Sequence, residues 1–294
     1  MKRNLIFDVG LHLGEDSEFY LKKGFDVVAV EASPANAVKA AKRLKGYVDS
    51  GRLTIVNKAI TSDEGPVAFF VSDRSIWGTT DPNTAERNRH LGSSISEITV
   101  PGVPFHRLLE QYGVPYYMKI DIEGADTLCL EGLMASADRP KYVSIESSKT
   151  SFDDLVNEFS LLQRLGYRKY KVVPQHRIDE ERLPKTAREG QFVDHVFEEG
   201  SSGAFGQELP GEWMSLEQAL KVYMRIFRKY RLVGDYGWLS SYGFIREALN
   251  RRRDRRDRRV ARAAPRKTLP RKLLRNIEAR LRPGWYDTHA MREE

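Results

Sequence analysis

The stretch Leu5-Ile-Phe-Asp-Val-Gly-Leu-His-Leu-Gly14 joins a short apolar run to two glycines, and a helix-like segment follows at Asp16–Lys23. An apolar run that ends in glycine predicts a buried strand followed by a turn. Ligands of doubly wound sheets bind at the carboxyl ends of strands, where glycine lets the backbone approach and the next helix offers free N–H groups. Gly10 and Gly14 are therefore predicted to shape a ligand-binding turn, although glycines needed only for chain geometry would leave the same pattern.

Strand-like and helix-like segments alternate around this turn through the first two thirds of the chain. This alternation predicts an α/β fold of the Rossmann-like kind, with a mainly parallel sheet covered by helices on both faces. The strand candidates are Leu5–Val9, Asp26–Val30, Leu53–Ile60, Val67–Ser72, Tyr116–Ile122, Lys141–Glu146, Tyr167–Val173 and His195–Phe197. The helix candidates are Asp16–Lys23, Ala35–Leu44, Thr127–Met134 and two segments whose capping boxes begin at Ser151 and Ser215. Residues 1–210 are assigned to one domain and residues 211–294 to a helical extension.

The spacing of the glycines favours a cofactor other than a dinucleotide. The dinucleotide fingerprint is Gly-x-Gly-x-x-Gly, whereas here three residues separate Gly10 from Gly14, with His12 in the middle. Asp8, just before the turn, suits a cationic ligand better than a pyrophosphate, and S-adenosylmethionine carries a sulfonium and an ammonium. An NAD-dependent oxidoreductase is therefore disfavoured.

An acid, Glu31, ends the second predicted strand. In Rossmann-type sites an acid at this position binds the ribose hydroxyls, and a carboxylate that accepts two hydroxyls makes charge-assisted hydrogen bonds. The alternative is a solvated residue ahead of the helix that begins near Pro34. A ribose is common to NAD and S-adenosylmethionine, so Glu31 alone does not separate them.

A third cluster of polar residues lies in and after a central strand candidate, in Tyr116-Tyr-Met-Lys-Ile-Asp-Ile-Glu-Gly-Ala-Asp126. Lys119, Asp121 and Glu123 alternate, so on an extended chain they project to one face. One interpretation is an internal ladder of ion pairs. We favour the other, in which Asp121 lies at the strand end beside a cofactor and Glu123 begins the next helix, because the cluster falls at the predicted switch point of the sheet.

Together, the motifs Asp8–Asp16, Val28–Ala32 and Met118–Ala125 make the chain similar to the FkbM-type methyltransferases over about residues 4–200. The resemblance implies an enzyme that uses S-adenosylmethionine and has the seven-stranded class I methyltransferase fold. It implies these cofactor-binding residues: Asp8, Gly10, His12, Gly14, Glu31, Ala32, Asn57, Ala59 and Asp121. His12 stands where the family more often has Asn, which leaves its contact with the cofactor open.

Members of this family usually methylate oxygen, often a sugar hydroxyl of a glycan, lipid or natural product. A neutral hydroxyl is a poor nucleophile, so a general base or a metal ion is expected. The candidate catalytic residues are Asp121, Glu123 and Glu146. Asp121 and Glu146 end neighbouring strand candidates, and their oxygen atoms would suit Mg²⁺.

Two loops and two histidines are candidates for the acceptor side of the site. Ser75–Thr80 contains an aromatic ring and hydroxyls that suit a sugar face, and Ser201–Gly206 has the composition of a flexible lid. The predicted acceptor-side residues are Trp77, Thr79, His176 and His195. Each histidine, taken alone, is more often a surface or hydrogen-bonded residue than a functional one.

The positive charge of the chain is concentrated in residues 251–282. The whole chain carries a net +7, and this segment alone holds 15 Lys or Arg against 3 Asp or Glu, so the remainder is acidic. A solvated insert is the first interpretation, contact with an anionic membrane the second, and nucleic acid the third, because no aromatic residues are interleaved. The alternative function is a catalytically inactive Rossmann-like module that docks anionic partners through this segment.

Composition excludes several classes of protein. The single cysteine, Cys129, rules out a disulfide framework and a cysteine-based metal centre. No stretch approaches the roughly 18 apolar residues of a membrane span, and the N-terminal apolar run is too short for a signal peptide. A cytoplasmic protein with a small-molecule or glycan acceptor is expected.

Overall fold

The computed structural model describes residues 1–73, 77–148, 151–198, 200–233 and 284–293. The basic segment 251–282 lies outside these residues, and what the sequence predicts for it stays a prediction. Within the described ranges, no helix has both the length and the apolar character needed to cross a membrane.

The strands form two sheets, a main sheet of seven strands and a second sheet of three strands. In chain order the seven are β1 (Lys2–Val9), β2 (Asp26–Val30), β3 (Leu53–Val56), β7 (Pro115–Ile120), β8 (Tyr142–Glu146), β9 (Lys169–Pro174) and β10 (Tyr286–Met291). Across the sheet the order is β3-β2-β1-β7-β8-β10-β9, and β10 is antiparallel to both neighbours. The order reverses between β1 and β7, which makes that position the switch point. The predicted mainly parallel, seven-stranded sheet is confirmed.

Helices cover both faces of this sheet. They are α1 (Glu15–Lys22), α2 (Pro34–Arg43), α3 (Lys45–Asp49), α4 (Pro82–His90), α5 (Phe105–Tyr112), α6 (Thr127–Leu133), α7 (Phe152–Arg164) and α8 (Leu216–Val233). Alternate residues of β1 belong to two separate apolar clusters. Phe7 and Val9 lie in one cluster, and Ile6 lies in the other. Because both faces of the sheet are covered, β1 and β7 consist of nearly continuous apolar residues. This is why both strands could be predicted from the sequence.

The second sheet is a three-stranded insertion between β3 and α5. It consists of β4 (Ala59–Ile60), β5 (Gly65–Ser72) and β6 (Ile95–Val103), in the order β4-β6-β5. The sequence predicted one strand over Leu53–Ile60, and this was wrong because the chain turns at Asn57 and Lys58 and leaves the main sheet. The sequence did not predict β6, α4 or α5.

The predicted strand His195–Phe197 was also wrong, since these residues form no strand. Both side chains lie on Phe19 of α1, with ring centroids 5.1 Å away for His195 and 4.9 Å away for Phe197. The short apolar pattern therefore reflects packing on a helix and not pairing in a sheet.

The last described elements, α8 and β10, both pack on the main sheet. The capping box at the start of α8 is present, since the Ser215 N–H donates to Gln218 Oε1 and the Gln218 N–H donates to Ser215 Oγ. Ala219 and Tyr223 enter the main apolar cluster. The strand β10 lies within the span 211–294 that the sequence assigned to a helical extension, yet it is inserted between β8 and β9 of the main sheet.

Candidate active site

The turn after β1 lies at the switch point of the main sheet. The N–H groups of Gly10 and Leu11 both donate to the Val30 carbonyl at 3.0 Å, so the turn bends across the end of β2. Gly10 has a φ of 98°, and a Cβ atom there would lie 1.8 Å from the Asp121 carbonyl oxygen. Only glycine fits where the turn after β1 crosses the end of β7.

The next residues of the turn bind the carboxylate at the end of β2. The His12 N–H donates to Glu31 Oε2 at 2.8 Å, and the Ser33 N–H donates to Oε1 at 2.8 Å. Burial raises the pKa of Glu31 above its ordinary value, although these two backbone hydrogen bonds oppose the shift. Each carboxylate oxygen has two acceptor positions, so Glu31 can still accept two ligand hydroxyls.

His12 reaches this hydrogen bond in a backbone conformation that few residues adopt. Its φ is 53°, in the left-handed region where Asn, Asp and His are enriched among residues other than glycine. The imidazole Nδ1 lies 3.3 Å from Glu15 Oε2. The side chain of His12 is thus directed toward the first turn of α1, while its backbone N–H donates a hydrogen bond to Glu31.

Asn57 supports the other side of Glu31. Its Nδ2 donates to the carbonyl oxygens of Glu31 at 2.7 Å and Ala32 at 3.3 Å. The structure therefore brings Glu31, Ala32 and Asn57 together. Ala59, also predicted on the cofactor side, lies in β4 and packs in the small apolar cluster of the second sheet.

A buried ion cluster lies beneath the turn. Asp8 is fully buried and accepts a hydrogen bond from Ser17 Oγ at 2.6 Å. The ammonium of Lys119 lies 3.2 Å from Asp8 Oδ1 and 3.5 Å from Asp16 Oδ2, and it donates to the Gly10 carbonyl at 2.8 Å. The cation that Asp8 meets in this structure is therefore Lys119.

The charges of this cluster shift one another's pKa values. Burial lowers the pKa of Lys119, but the carboxylates of Asp8, Asp16 and Asp121 outweigh it and raise the pKa well above the ordinary lysine value. Burial raises the pKa of Asp16 to about 7, with Lys119 opposing and Asp8 adding to the shift. Two ion-pair partners of Lys119 come from β1 and α1, and β7 ends at Ile120, so the shared face predicted for Lys119, Asp121 and Glu123 does not extend along one strand.

The chain after β7 folds into a tight loop. The Asp121 N–H donates to the Val9 carbonyl at 2.9 Å, and Asp126 accepts from the N–H groups of Ile122 and Gly124 at 3.0 and 3.1 Å. Glu123 has a φ of 54°, so the strand alternation has already ended. The helix predicted over Thr127–Met134 is present as α6, and Glu123 lies in the loop before it and not at its start.

Thr79 ties the second sheet to this loop. Its hydroxyl donates to the Glu123 carbonyl at 2.6 Å and accepts from the Asp81 N–H at 2.9 Å. Thr79 is fully buried, so the acceptor-side role predicted for its hydroxyl is replaced by a structural one. Trp77, in the same loop, accepts from Asn88 Nδ2 through its carbonyl at 3.2 Å.

Carboxyl groups from three adjacent strands meet at this edge. Asp121 follows β7, Glu146 ends β8, and Asp287 at the start of β10 is paired with Glu146 in register. Burial raises the pKa of Asp287 well above its ordinary value, and the charges of Asp121 and Glu146 raise it further. Burial and the same two charges also raise the pKa of Asp126 to about 7. The sequence missed Asp287 because an acid in a short apolar segment carries no motif.

Two predicted acceptor-side features lie elsewhere or fold differently. His195 packs on α1 beside Phe19 and Phe197, and its pKa is lowered by burial and by Lys22. Ser201–Gly206 is not a flexible lid, because all six residues are buried and the Phe205 ring stacks on Tyr117 with centroids 4.3 Å apart. Of the remaining predictions, Ser75 and the side chain of His176 lie outside the described residues.

The predicted magnesium site gains no support. Among the side chains that the structure describes, no group of three or more His, Cys, Asp or Glu residues is arranged to hold a metal ion.

A family model described as the methyltransferase FkbM domain matches residues 8–169, more than half of the chain. A search of the curated proteins gave no match.

Solved structures with related folds have low sequence identity. A precorrin-6y C5,15-methyltransferase from Geobacter metallireducens is 12% identical with a TM-score of 0.32, covering 66% of this chain and 75% of that one. A putative rRNA methylase from Clostridium thermocellum is 11% identical with a TM-score of 0.31, covering 58% and 76%. A SAM-dependent methyltransferase from Geobacter sulfurreducens, in complex with S-adenosyl-L-homocysteine, is 12% identical with a TM-score of 0.34, covering 99% and 85%.

Proposed function

The chain belongs to the FkbM methyltransferase domain family, and we propose that it transfers a methyl group from S-adenosylmethionine to a hydroxyl oxygen. The acceptor we propose is a sugar, a glycan or a natural product that presents such a hydroxyl. Bound S-adenosylmethionine supplies an electrophilic methyl group and its own leaving group. The residues of the chain then have to bind and orient the two reactants and remove the hydroxyl proton.

The observation that carries the proposal is the contact between Glu31 and the turn after β1. The His12 N–H donates to the Glu31 carboxylate at the switch point, which fixes an acidic acceptor where a nucleoside ribose is bound in folds of this kind. Glu31 is 7% exposed, and its carboxylate retains acceptor positions for a pair of hydroxyls. These acceptor positions fit S-adenosylmethionine, whose ribose presents two adjacent hydroxyls as donors.

For the proton acceptor we propose Asp121 or Glu146. Both are only partly buried. Asp8 and Asp16, in contrast, are buried around Lys119, where the molecule that receives the methyl group cannot reach them. Either carboxylate would take up the hydroxyl proton, which the oxygen of the acceptor molecule has to lose when it is methylated. Glu123 is the third candidate, and its backbone is fixed by Thr79.

Calorimetric titration with S-adenosylhomocysteine tests the cofactor assignment. We expect binding by the folded protein, and we expect Glu31→Ala to abolish it. Glu217→Ala is the matched control, because Glu217 is exposed on α8 and pairs with Lys221. No binding by the folded wild-type protein would refute the enzyme and favour the inactive module that docks anionic partners.

The role of the carboxylates is tested once an acceptor is found. Screening hydroxylated sugars with methyl-labelled S-adenosylmethionine identifies one, and single-turnover rates are then compared between the wild type and Asp121→Asn. We expect the variant to fold and to lose turnover. An unchanged rate would assign proton removal to Glu146 or Glu123, which are tested in the same way.

The charge of residues 251–282 favours a second, separate property, contact with an anionic membrane surface. The segment carries 15 Lys or Arg against 3 Asp or Glu, and basic runs are attracted to anionic lipid headgroups. Co-sedimentation with vesicles that contain phosphatidylserine, compared with vesicles of phosphatidylcholine alone, measures it. Equal sedimentation with both would exclude the electrostatic contact.

A further inference from the structure

The strand β10 directs two neighbouring buried polar side chains to opposite faces of the main sheet. Asp287 is 5% exposed and Thr288 is fully buried, and successive residues of a strand alternate between faces. Both belong to a strand outside the region matched by the family model, which ends at residue 169. Buried polar groups in the middle of a sheet require partners, and the two residues find theirs in separate networks.

Asp287 begins a continuous polar connection that ends at the turn after β1. Gln175 Nε2 donates to Asp287 Oδ2 at 2.7 Å and to the Ser202 carbonyl at 3.2 Å. The Ser202 N–H donates to both carboxylate oxygens of Asp16, at 2.9 and 3.0 Å.

Asp16 completes the connection through a lysine. Its Oδ2 lies 3.5 Å from Lys119 Nζ, which donates to the Gly10 carbonyl at 2.8 Å. Asp287, Gln175, Ser202, Asp16 and Lys119 are all 5% exposed or less, so water does not compete for these bonds. We call this series of contacts the Asp287–Gly10 chain.

Thr288 takes part in a different network on the other face. Its hydroxyl is hydrogen-bonded to the hydroxyls of Ser147 and Tyr223, and Ser147 Oγ also donates to Glu158 at 2.6 Å. These partners come from the end of β8, from α7 and from α8. The network therefore joins two helices to the sheet through hydrogen bonds other than those of the Asp287–Gly10 chain.

We propose that Asp287 and Gln175 are positioning residues that hold the turn Gly10–Gly14 in the conformation that binds the cofactor. The physical reason is that the Gly10 carbonyl of the turn accepts a hydrogen bond from Lys119, whose ammonium lies between Asp8 and Asp16. Asp16 in turn accepts from the Ser202 N–H, and the Ser202 carbonyl accepts from Gln175. Replacing such a series of buried polar residues by hydrophobic residues often leaves the stability of the protein unchanged. Stability alone therefore does not explain why polar residues occupy these positions. The cofactor part of the inference rests on the proposed function, whereas the positioning of the turn does not.

Four variants separate positioning from stability. Gln175→Met and Asp287→Leu interrupt the chain with side chains of similar size, whereas Asp287→Asn keeps an oxygen that can accept from Gln175. Thr288→Val is the matched control, since it removes a buried hydrogen-bonding group from the adjacent residue of the same strand. Thermal unfolding midpoints are measured for all four.

The first readout is hydrogen exchange of the backbone amides of residues 10–14 in the cofactor-free protein. We expect Gln175→Met and Asp287→Leu to exchange these amides at least tenfold faster than the wild type, and Asp287→Asn and Thr288→Val to differ by less than threefold. If Asp287→Leu does not fold, Gln175→Met tests the same chain. Equal exchange in Gln175→Met and the wild type, or faster exchange in Thr288→Val as well, would overturn the proposal.

The second readout is the dissociation constant of S-adenosylhomocysteine. We expect at least tenfold weaker binding by Gln175→Met and less than threefold change in Thr288→Val, even where Thr288→Val lowers the unfolding midpoint more. Faster amide exchange with unchanged affinity would show that the turn is positioned by the chain but not for this cofactor. Absence of binding by the wild type would reject the proposed function and leave the exchange result to decide the positioning.

Discussion

The ammonium of Lys119 donates a hydrogen bond to the carbonyl of Gly10 at 2.8 Å, from a side chain that is almost wholly buried. One strand thus holds the glycine turn of its neighbour by a charged group and not only by the ladder of backbone bonds. The same ammonium faces Asp8 and Asp16, so a single cation joins the first motif of the sequence to the third. Cofactor affinity and the stability of the domain are therefore expected to depend on the same residue.

Replacing Lys119 by Met removes the cation and leaves two carboxyl groups buried without it. Removing one partner of a buried ion pair typically costs about 3–5 kcal/mol. We expect a loss of that order in the free energy of unfolding at pH 8, measured in urea, and a smaller loss at pH 5, which is below the pKa of about 7 to which burial raises Asp16. An equal loss at both pH values would contradict a role based on charge.

Gly10→Ala is expected to prevent folding, because the added Cβ would lie 1.8 Å from the Asp121 carbonyl oxygen and the φ of 98° is unfavourable for alanine. Gly51→Ala is the matched control. Gly51 also has a positive φ, 74°, but no heavy atom lies within 4 Å of the Cβ position. We expect the control to lose about 1 kcal/mol, the cost of the backbone conformation alone. Soluble yield and unfolding midpoint distinguish the two, and similar losses would show that β1 and β7 can separate.

His12 is predicted to tolerate Asn but not Val. The hydrogen bond to Glu31 comes from the backbone of residue 12 at a φ of 53°, which Asn adopts readily and a β-branched residue does not. We expect His12→Asn to bind S-adenosylhomocysteine within about threefold of the wild type, and His12→Val to bind at least tenfold more weakly, the equivalent of about 1.4 kcal/mol. Weak binding by His12→Asn would instead assign the contact to the imidazole.

The sequence predicted those parts of the fold that depend on residues close together in the chain. Apolar runs identified β1 and β2, and three short motifs identified Gly10, Glu31 and Asp121, all of which the structure places around the switch point. The placement of these residues was predictable because parallel strands covered on both faces bring their carboxyl ends to one edge.

Features that depend on distant residues were not predicted. Asp287 reaches the edge because an antiparallel strand from the end of the chain enters between β8 and β9, and no local pattern encodes that insertion. Lys119 was placed with Asp121 and Glu123 by strand alternation, whereas its partners come from β1 and α1. Ser201–Gly206 has the composition of a flexible loop, but Phe205 stacks on Tyr117 and the segment is buried.

Glu158 is predicted to make the stability of the domain fall as the pH rises. Burial raises its pKa to about 8, from an ordinary value near 4.5, although the hydroxyls of Ser147 and Thr288 oppose the shift. The folded state therefore binds a proton that the unfolded state has released between these values. The stabilisation is complete below about pH 4.5 and is lost as the pH approaches 8.

Glu158→Gln keeps the shape and the acceptor for Ser147 while it removes the ionisation. We expect the variant to be more stable than the wild type at pH 8 by an amount on the order of 2 kcal/mol, and the difference to shrink toward pH 5. Urea unfolding at pH 5, 6.5 and 8 measures it, with Glu217→Gln as the control because Glu217 is exposed on α8. A wild-type stability that rises between pH 5 and 8 relative to Glu158→Gln would mean that the buried carboxyl is ionised in the fold, and that the hydroxyls of Ser147 and Thr288 outweigh its burial.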